Sequence, residues 1–119
     1  MKFNEFITFL GSFDLKETSN FYQNILGLTL YKDQKTCLIF HINMQSKIGF
    51  CEHIPVINDE KSPIITLVTD DVDEIYTKLI NKGLKIAENP KLNEKFNIYH
   101  FFFKDPNGYT IEIQRFLED

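Results

Sequence analysis

The sequence predicts an α+β fold made of two βαβββ modules whose curved, mixed sheet closes around an open cup. Three observations predict it. Residues 7–30 and 64–86 share one grammar, at an offset of about 57 residues in a chain of 119. Each of these stretches is followed by three short apolar runs broken by polar turn residues. The bulk composition, 43% hydrophobic and 25% charged, suits a single globular domain able to bury its own core. The predicted organisation is one domain, 1–119, with a first module at 1–57, a linker at 58–63 and a second module at 64–119.

The first module opens on the apolar, β-branched run "ITFL". Asp14 followed by Glu17 has the spacing of a helix-starting capping box. Leu15, Phe21, Tyr22 and Ile25 then recur at helical period, and Gly27 stands where a left-handed C-cap is easiest. The runs "LTLYKD", "TCLIFHI" and "IGFCEHI" read as three strands, and the polar "INDEKSP" as the link between halves. The second module repeats the order with "IITLV", the pair Asp71 and Glu74, the stripe Val72, Ile75, Leu79, and Gly83. Its strands read as "LKIAEN", "IYHFFFKD" and "YTIEIQRF", with "NPKLNEKFN" as a loop before the penultimate strand. Two long units rather than three or more short ones mean duplication, not a solenoid. Three successive strands after a helix favour largely antiparallel sheets with the helix on one face.

Net charge is −4 and the sequence pI is about 5.3, with no basic cluster, which argues against nucleic acid or an anionic membrane as partner. The longest apolar runs are too short to span a bilayer, and "MKFNEF" lacks the apolar stretch of a signal peptide. Cys37 and Cys51 offer neither a disulfide framework nor zinc-site spacing. The expectation is a cytoplasmic protein with reduced thiols.

One residue breaks the apolar pattern. Glu112 sits between Ile111 and Ile113 in the last predicted strand. A hairpin turning on "DPNG" sets Phe102 opposite Glu112 and His100 opposite Gln114. Alternation then gathers His100, Phe102, Thr110, Glu112 and Gln114 on one face. A buried carboxylate needs a partner or loses its charge, and His100 is the nearest one this register offers. Such a pair suits positioning a polar group or general-base work.

The stretches "DLKETSNFYQNILGL", "VTDDVDEIYTKLINKG" and "KDPNGYTIEI" resemble the vicinal oxygen chelate superfamily of glyoxalases, bleomycin-resistance proteins and extradiol dioxygenases. The resemblance spans nearly the whole chain. It implies that the face bearing Glu112 lines the cup and that Glu112 stands where metal-using members place a metal-binding glutamate. The other implied ligand places fall on Ile7, Ile64 and near Gly49, none of which binds a metal. No metal cofactor is therefore expected; the alternative is a divalent ion on an improvised set of Glu112, His100 and His53.

On this reading the cup is lined by Phe9, Cys51, His53, Phe96, His100, Phe102, Tyr109, Glu112 and Gln114, with Glu112 and His100 as the candidate catalytic pair. The leading functional expectation is metal-free binding of a small, largely apolar or aromatic organic molecule, of sequestration or resistance type. The alternatives are a metal-dependent lyase, isomerase or dioxygenase using Glu112 and His100, and a regulatory or structural domain whose cup is filled by side chains. The resemblance also implies a homodimer.

Overall fold

The computed structural model describes residues 1–117, so the predicted end of the second module at 119 lies outside the described residues. The chain divides into two compact units, the first ending at Asp59 and the second beginning at Glu60, a break inside the predicted linker.

In the first unit, β1 (Phe6–Gly11) is followed by α1 (Leu15–Ser19), a wider π-type segment (Asn20–Ile25), β2 (Thr29–Asp33), β3 (Cys37–His41) and β4 (Ser46–Cys51). The sheet order is β1-β4-β3-β2, with β1 parallel to β4 and the remaining pairs antiparallel. Asp14 caps α1 as its sequence predicts, accepting from the backbone N–H groups of Lys16 and Glu17. The helical stripe buries Phe21 and Tyr22, and the Tyr22 ring lies 4.5 Å from Phe50 and 5.9 Å from Phe40. The opposite face of this sheet carries Phe9, Ile39, Lys47, Gly49, Cys37 and Cys51 by alternation.

The second unit repeats the plan with β5 (Ile65–Val68), α2 (Val72–Asn81), β6 (Lys91–Asn93), β7 (Ile98–Lys104) and β8 (Thr110–Phe116), in sheet order β5-β8-β7-β6. Its core joins Val72 and Leu79 of α2 to Phe101, Phe103, Ile111 and Ile113 of β7 and β8. Gly83, at φ +90, closes α2: Leu84 N–H reaches the Leu79 carbonyl at 3.1 Å and Gly83 N–H the Ile80 carbonyl at 3.0 Å, a Schellman pair.

Three expectations are corrected. Asp71 precedes α2 but makes no side-chain cap bond; its own N–H instead donates to the Thr69 hydroxyl, which holds the backbone at φ −110, ψ 45. The strand read in "LKIAEN" is irregular, and β6 lies within the stretch read as a loop, because residues 91–93 are the ones that come alongside β7. Cys37 and Cys51 are not free thiols but a disulfide. They are directly opposed across β3 and β4 with Cα atoms 4.1 Å apart. The flanking Glu52 N–H to Thr36 carbonyl bond makes theirs a non-hydrogen-bonded pair, the closer of the two antiparallel pairings.

Candidate functional site

The turn after β7 sets the register of the site. Asp105 Oδ1 accepts from the backbone N–H groups of Asn107 and Tyr109, each at 2.9 Å, and Gly108 takes φ +86. This pins Phe102 opposite Glu112 and His100 opposite Gln114, the pairing read from the sequence. The parallel neighbour β5 adds Thr66 opposite Glu112.

Glu112 is buried, and three side chains surround its carboxylate. Thr66 Oγ1 donates to Oε1 at 2.8 Å, His100 Nδ1 lies 2.6 Å from Oε2, and Gln114 Nε2 donates to Oε2 at 3.2 Å. Against an ionised carboxylate, which only accepts, Nδ1 is the nitrogen that carries the proton, and in that tautomer of a neutral imidazole Nε2 is an acceptor. Nε2 has no partner among the described residues and is not sealed from solvent. The Phe102 ring stands edge-on to His100, centroids 5.0 Å apart, and is 40% exposed.

Glu112, His100, Gln114 and Phe102 line a concavity of about 620 Å³ within the second unit, of the size that small-molecule sites have. Ile64, Phe96, Ile98, Phe102 and Phe116 give it apolar walls. Glu88 and Lys91 stand at its edge as an exposed ion pair at 2.9 Å, and Lys91 holds the Glu88 carboxyl below its ordinary range through that hydrogen bond and its charge.

The sequence-predicted residues divide by location. Phe96, His100, Phe102, Glu112 and Gln114 come together around this concavity. Tyr109 does not: the turn directs its ring into the core, where it is 2% exposed beside the positions of Ile111 and Ile113. Phe9, Cys51 and His53 belong to the first unit. Cys51 is held in the disulfide, and His53 stands in the turn after β4, its imidazole close to both sulfurs. The improvised metal set of Glu112, His100 and His53 is therefore not assembled within either unit. One participant escaped sequence reading: Thr66 shares the parity of Ile64, and alternation along that stretch points to it.

The donor set does not fit a catalytic divalent ion, which takes about three protein ligands and one open position. Ile7 and Ile64 offer no donor atom. The place at Gly49 is filled: a Cβ there would stand 2.5 Å from two carbons of the Phe9 ring. The same face carries a buried cation, Lys47, whose Nζ lies 3.2 Å from Glu5, donates to the Met44 carbonyl at 2.9 Å and sits 4.6 Å from the Tyr31 ring centroid. Among the described residues the one trio of metal-ligating types is Cys37, Cys51 and His53, and its sulfurs are bonded to each other.

No curated protein matches the chain. Solved structures share its fold. A glyoxalase/bleomycin resistance protein/dioxygenase from Nocardioides superposes with a TM-score of 0.78 at 19% identity, covering 99% of this chain and 86% of that one. A protein of the same description from Alicyclobacillus acidocaldarius gives 0.79 at 15% identity, over 97% and 92%. The lactoylglutathione lyase of Agrobacterium tumefaciens gives 0.73 at 19% identity, over 92% and 91%. The family profile that the sequence matches spans residues 7–113, both βαβββ units nearly entire, and the chain belongs to the glyoxalase/bleomycin resistance protein/dioxygenase superfamily.

Proposed function

We propose that the protein binds a small aromatic or largely apolar organic molecule on the concave face of its second unit, without a metal. The observation that carries this reading is one polar cluster, Glu112 with Thr66, His100 and Gln114, set in a wall of Ile64, Phe96, Ile98, Phe102 and Phe116. Apolar walls supply affinity and a few placed polar atoms supply orientation. Glu112 is already supplied with protein donors, so its task is to fix the His100 tautomer. Nε2 is then the acceptor that meets a ligand O–H or N–H, while the exposed edge of Phe102 packs on its ring. Sequestration needs nothing further from the protein. A space of about 620 Å³ favours binding over a purely structural role.

A thermal-shift panel of phenols, naphthols and heteroaromatic N–H compounds, followed by calorimetry on the hits, tests the reading. A ligand at a hundredfold excess over its Kd stabilises by about 2.7 kcal/mol, an upward shift of several degrees. Phe102→Ala and His100→Phe are expected to weaken a hit at least about tenfold, roughly the loss of one good contact. A panel without hits, or hits indifferent to both substitutions, would remove the proposal.

A further inference from the structure

We infer that the first unit holds a redox-gated site for a thiophilic metal ion, formed by Cys37, Cys51 and His53. Their ligand atoms all lie within 4.8 Å of one another. Both cysteines are buried, at 7% and 1% exposure, whereas His53 stands exposed in the turn just after β4. In a tetrahedral zinc site, metal–sulfur bonds of about 2.3 Å and metal–nitrogen bonds of about 2.0 Å place neighbouring donors roughly 3.5 Å apart. The trio reaches that spacing once the two sulfurs part and the His53 side chain, free to swing in its turn, closes on them. The strands need not move, because the cysteines are already opposed in register.

The disulfide is the gate. While the sulfurs are bonded to each other, neither is a thiolate and the trio cannot hold a cation. A dithiol reductant supplies two electrons and two protons, its own sulfurs closing into a disulfide, and the Cys37–Cys51 bond opens to two thiols. A Zn²⁺ ion then replaces both thiol protons, forming two metal–sulfur bonds and one bond to the His53 imidazole, and the protons pass to solvent. Two soft sulfurs and an imidazole favour Zn²⁺ or Cu⁺ over Mg²⁺ or Ca²⁺. The protein supplies three donors and leaves the fourth position open. This site lies on β3, β4 and the following turn of the first unit. It shares no residue with the Glu112 cluster and does not depend on the ligand-binding proposal.

Cobalt titration of the full chain, oxidised and phosphine-reduced, tests the inference, because thiolate-bound Co²⁺ shows charge-transfer absorption that oxygen-bound Co²⁺ lacks. The reduced chain is expected to take up one equivalent with that absorption, and Zn²⁺ to displace it. The oxidised chain is expected to show none. His53→Ala, which leaves the disulfide intact, is expected to weaken uptake by the reduced chain at least about tenfold, since even indirect supports of a metal ligand cost that much. Circular dichroism follows the fold throughout. Three outcomes overturn the proposal: a reduced, folded chain without the absorption; a reduced chain whose unfolding metal does not reverse; and uptake that His53→Ala leaves unchanged. The first two would leave the pair as a structural disulfide only, and the third would leave two thiolates binding metal without His53, not the three-donor site.

Discussion

At the scale of single residues, Glu112 shows how a carboxylate survives in a sheet of isoleucines. Its oxygens take hydrogen bonds from Thr66, His100 and Gln114, so burial costs it little. Removing it strands those donors. Glu112→Ala is expected to lower unfolding free energy by about 2–3 kcal/mol. Glu112→Gln keeps one acceptor oxygen and is expected to cost about 1 kcal/mol. Urea denaturation of the two variants beside the parent measures both, and equal losses would mean that the retained amide oxygen and side-chain volume contribute nothing and the charged carboxylate carries the whole effect. Gly11 makes the opposite point, that absence of a side chain can be structural. A Cβ there would meet the Ile54 and Pro55 carbonyl oxygens at 2.3 and 2.5 Å, both backbone atoms that cannot swing aside. Gly11→Ala is therefore expected to destabilise by about 1–3 kcal/mol in the same assay. Sequence reading reached Glu112 and His100 because turn chemistry and a period of two suffice for them. It misplaced Tyr109 because the residue leaving a turn belongs to neither strand's alternation until Asp105 has claimed its N–H group.

At the scale of elements, the two helices look alike in sequence and are started differently. Asp14 caps α1 with two backbone hydrogen bonds, whereas Asp71 makes none at α2. Asp14→Ala is expected to cost about 1 kcal/mol and Asp71→Ala only a few tenths, by chemical denaturation. The second helix is tied to its sheet instead: the Tyr99 hydroxyl on β7 donates to the Asp73 carboxylate in the first turn of α2. That bond, then burial and the Asp73 charge, raises the Tyr99 pKa, with Arg115 opposing. A phenol whose folded pKa is raised contributes its stability in full below the unfolded value of about 10 and loses it as pH rises through the folded value. Tyr99→Phe is accordingly expected to be less stable than the parent at neutral pH and to close that gap above about pH 10, read from urea midpoints along the alkaline limb. The capping glycines and helical stripes were legible because they are local. The start of α2 was not, because the Thr69 hydroxyl takes the Asp71 N–H two residues on and the backbone there settles where the Asp71 side chain makes no cap bond, a choice the capping-box spacing does not distinguish. Nor was β6, whose three residues count as a strand only by lying beside β7.

At the scale of the whole molecule, one duplicated plan carries two chemistries. The second unit keeps an acidic centre within an apolar wall. The first unit, on the face turned away from its helix, has a ring over Gly49, a buried lysine and a cross-strand disulfide. The duplication was legible, since cap, stripe and glycine recur in both halves. The disulfide was not: two cysteines 14 residues apart meet only if the β3–β4 hairpin pairs them in register, which depends on a turn that sequence places to within a residue or so. That covalent link tests how far the units are separate in stability. Each has its own core, Tyr22 with Phe40 and Phe50 in one, Phe101, Phe103, Ile111 and Ile113 in the other. Opening the loop between Cys37 and Cys51 removes a constraint worth at most about 3 kcal/mol on the chain-entropy account. The loss falls on the unit that holds it. Hydrogen exchange read by mass spectrometry is expected to accelerate on reduction through β3 and β4, while the amides of β7 and β8 keep their protection. Equal acceleration in both sheets would mean that the units open together, and that the disulfide stabilises the chain as one cooperative body.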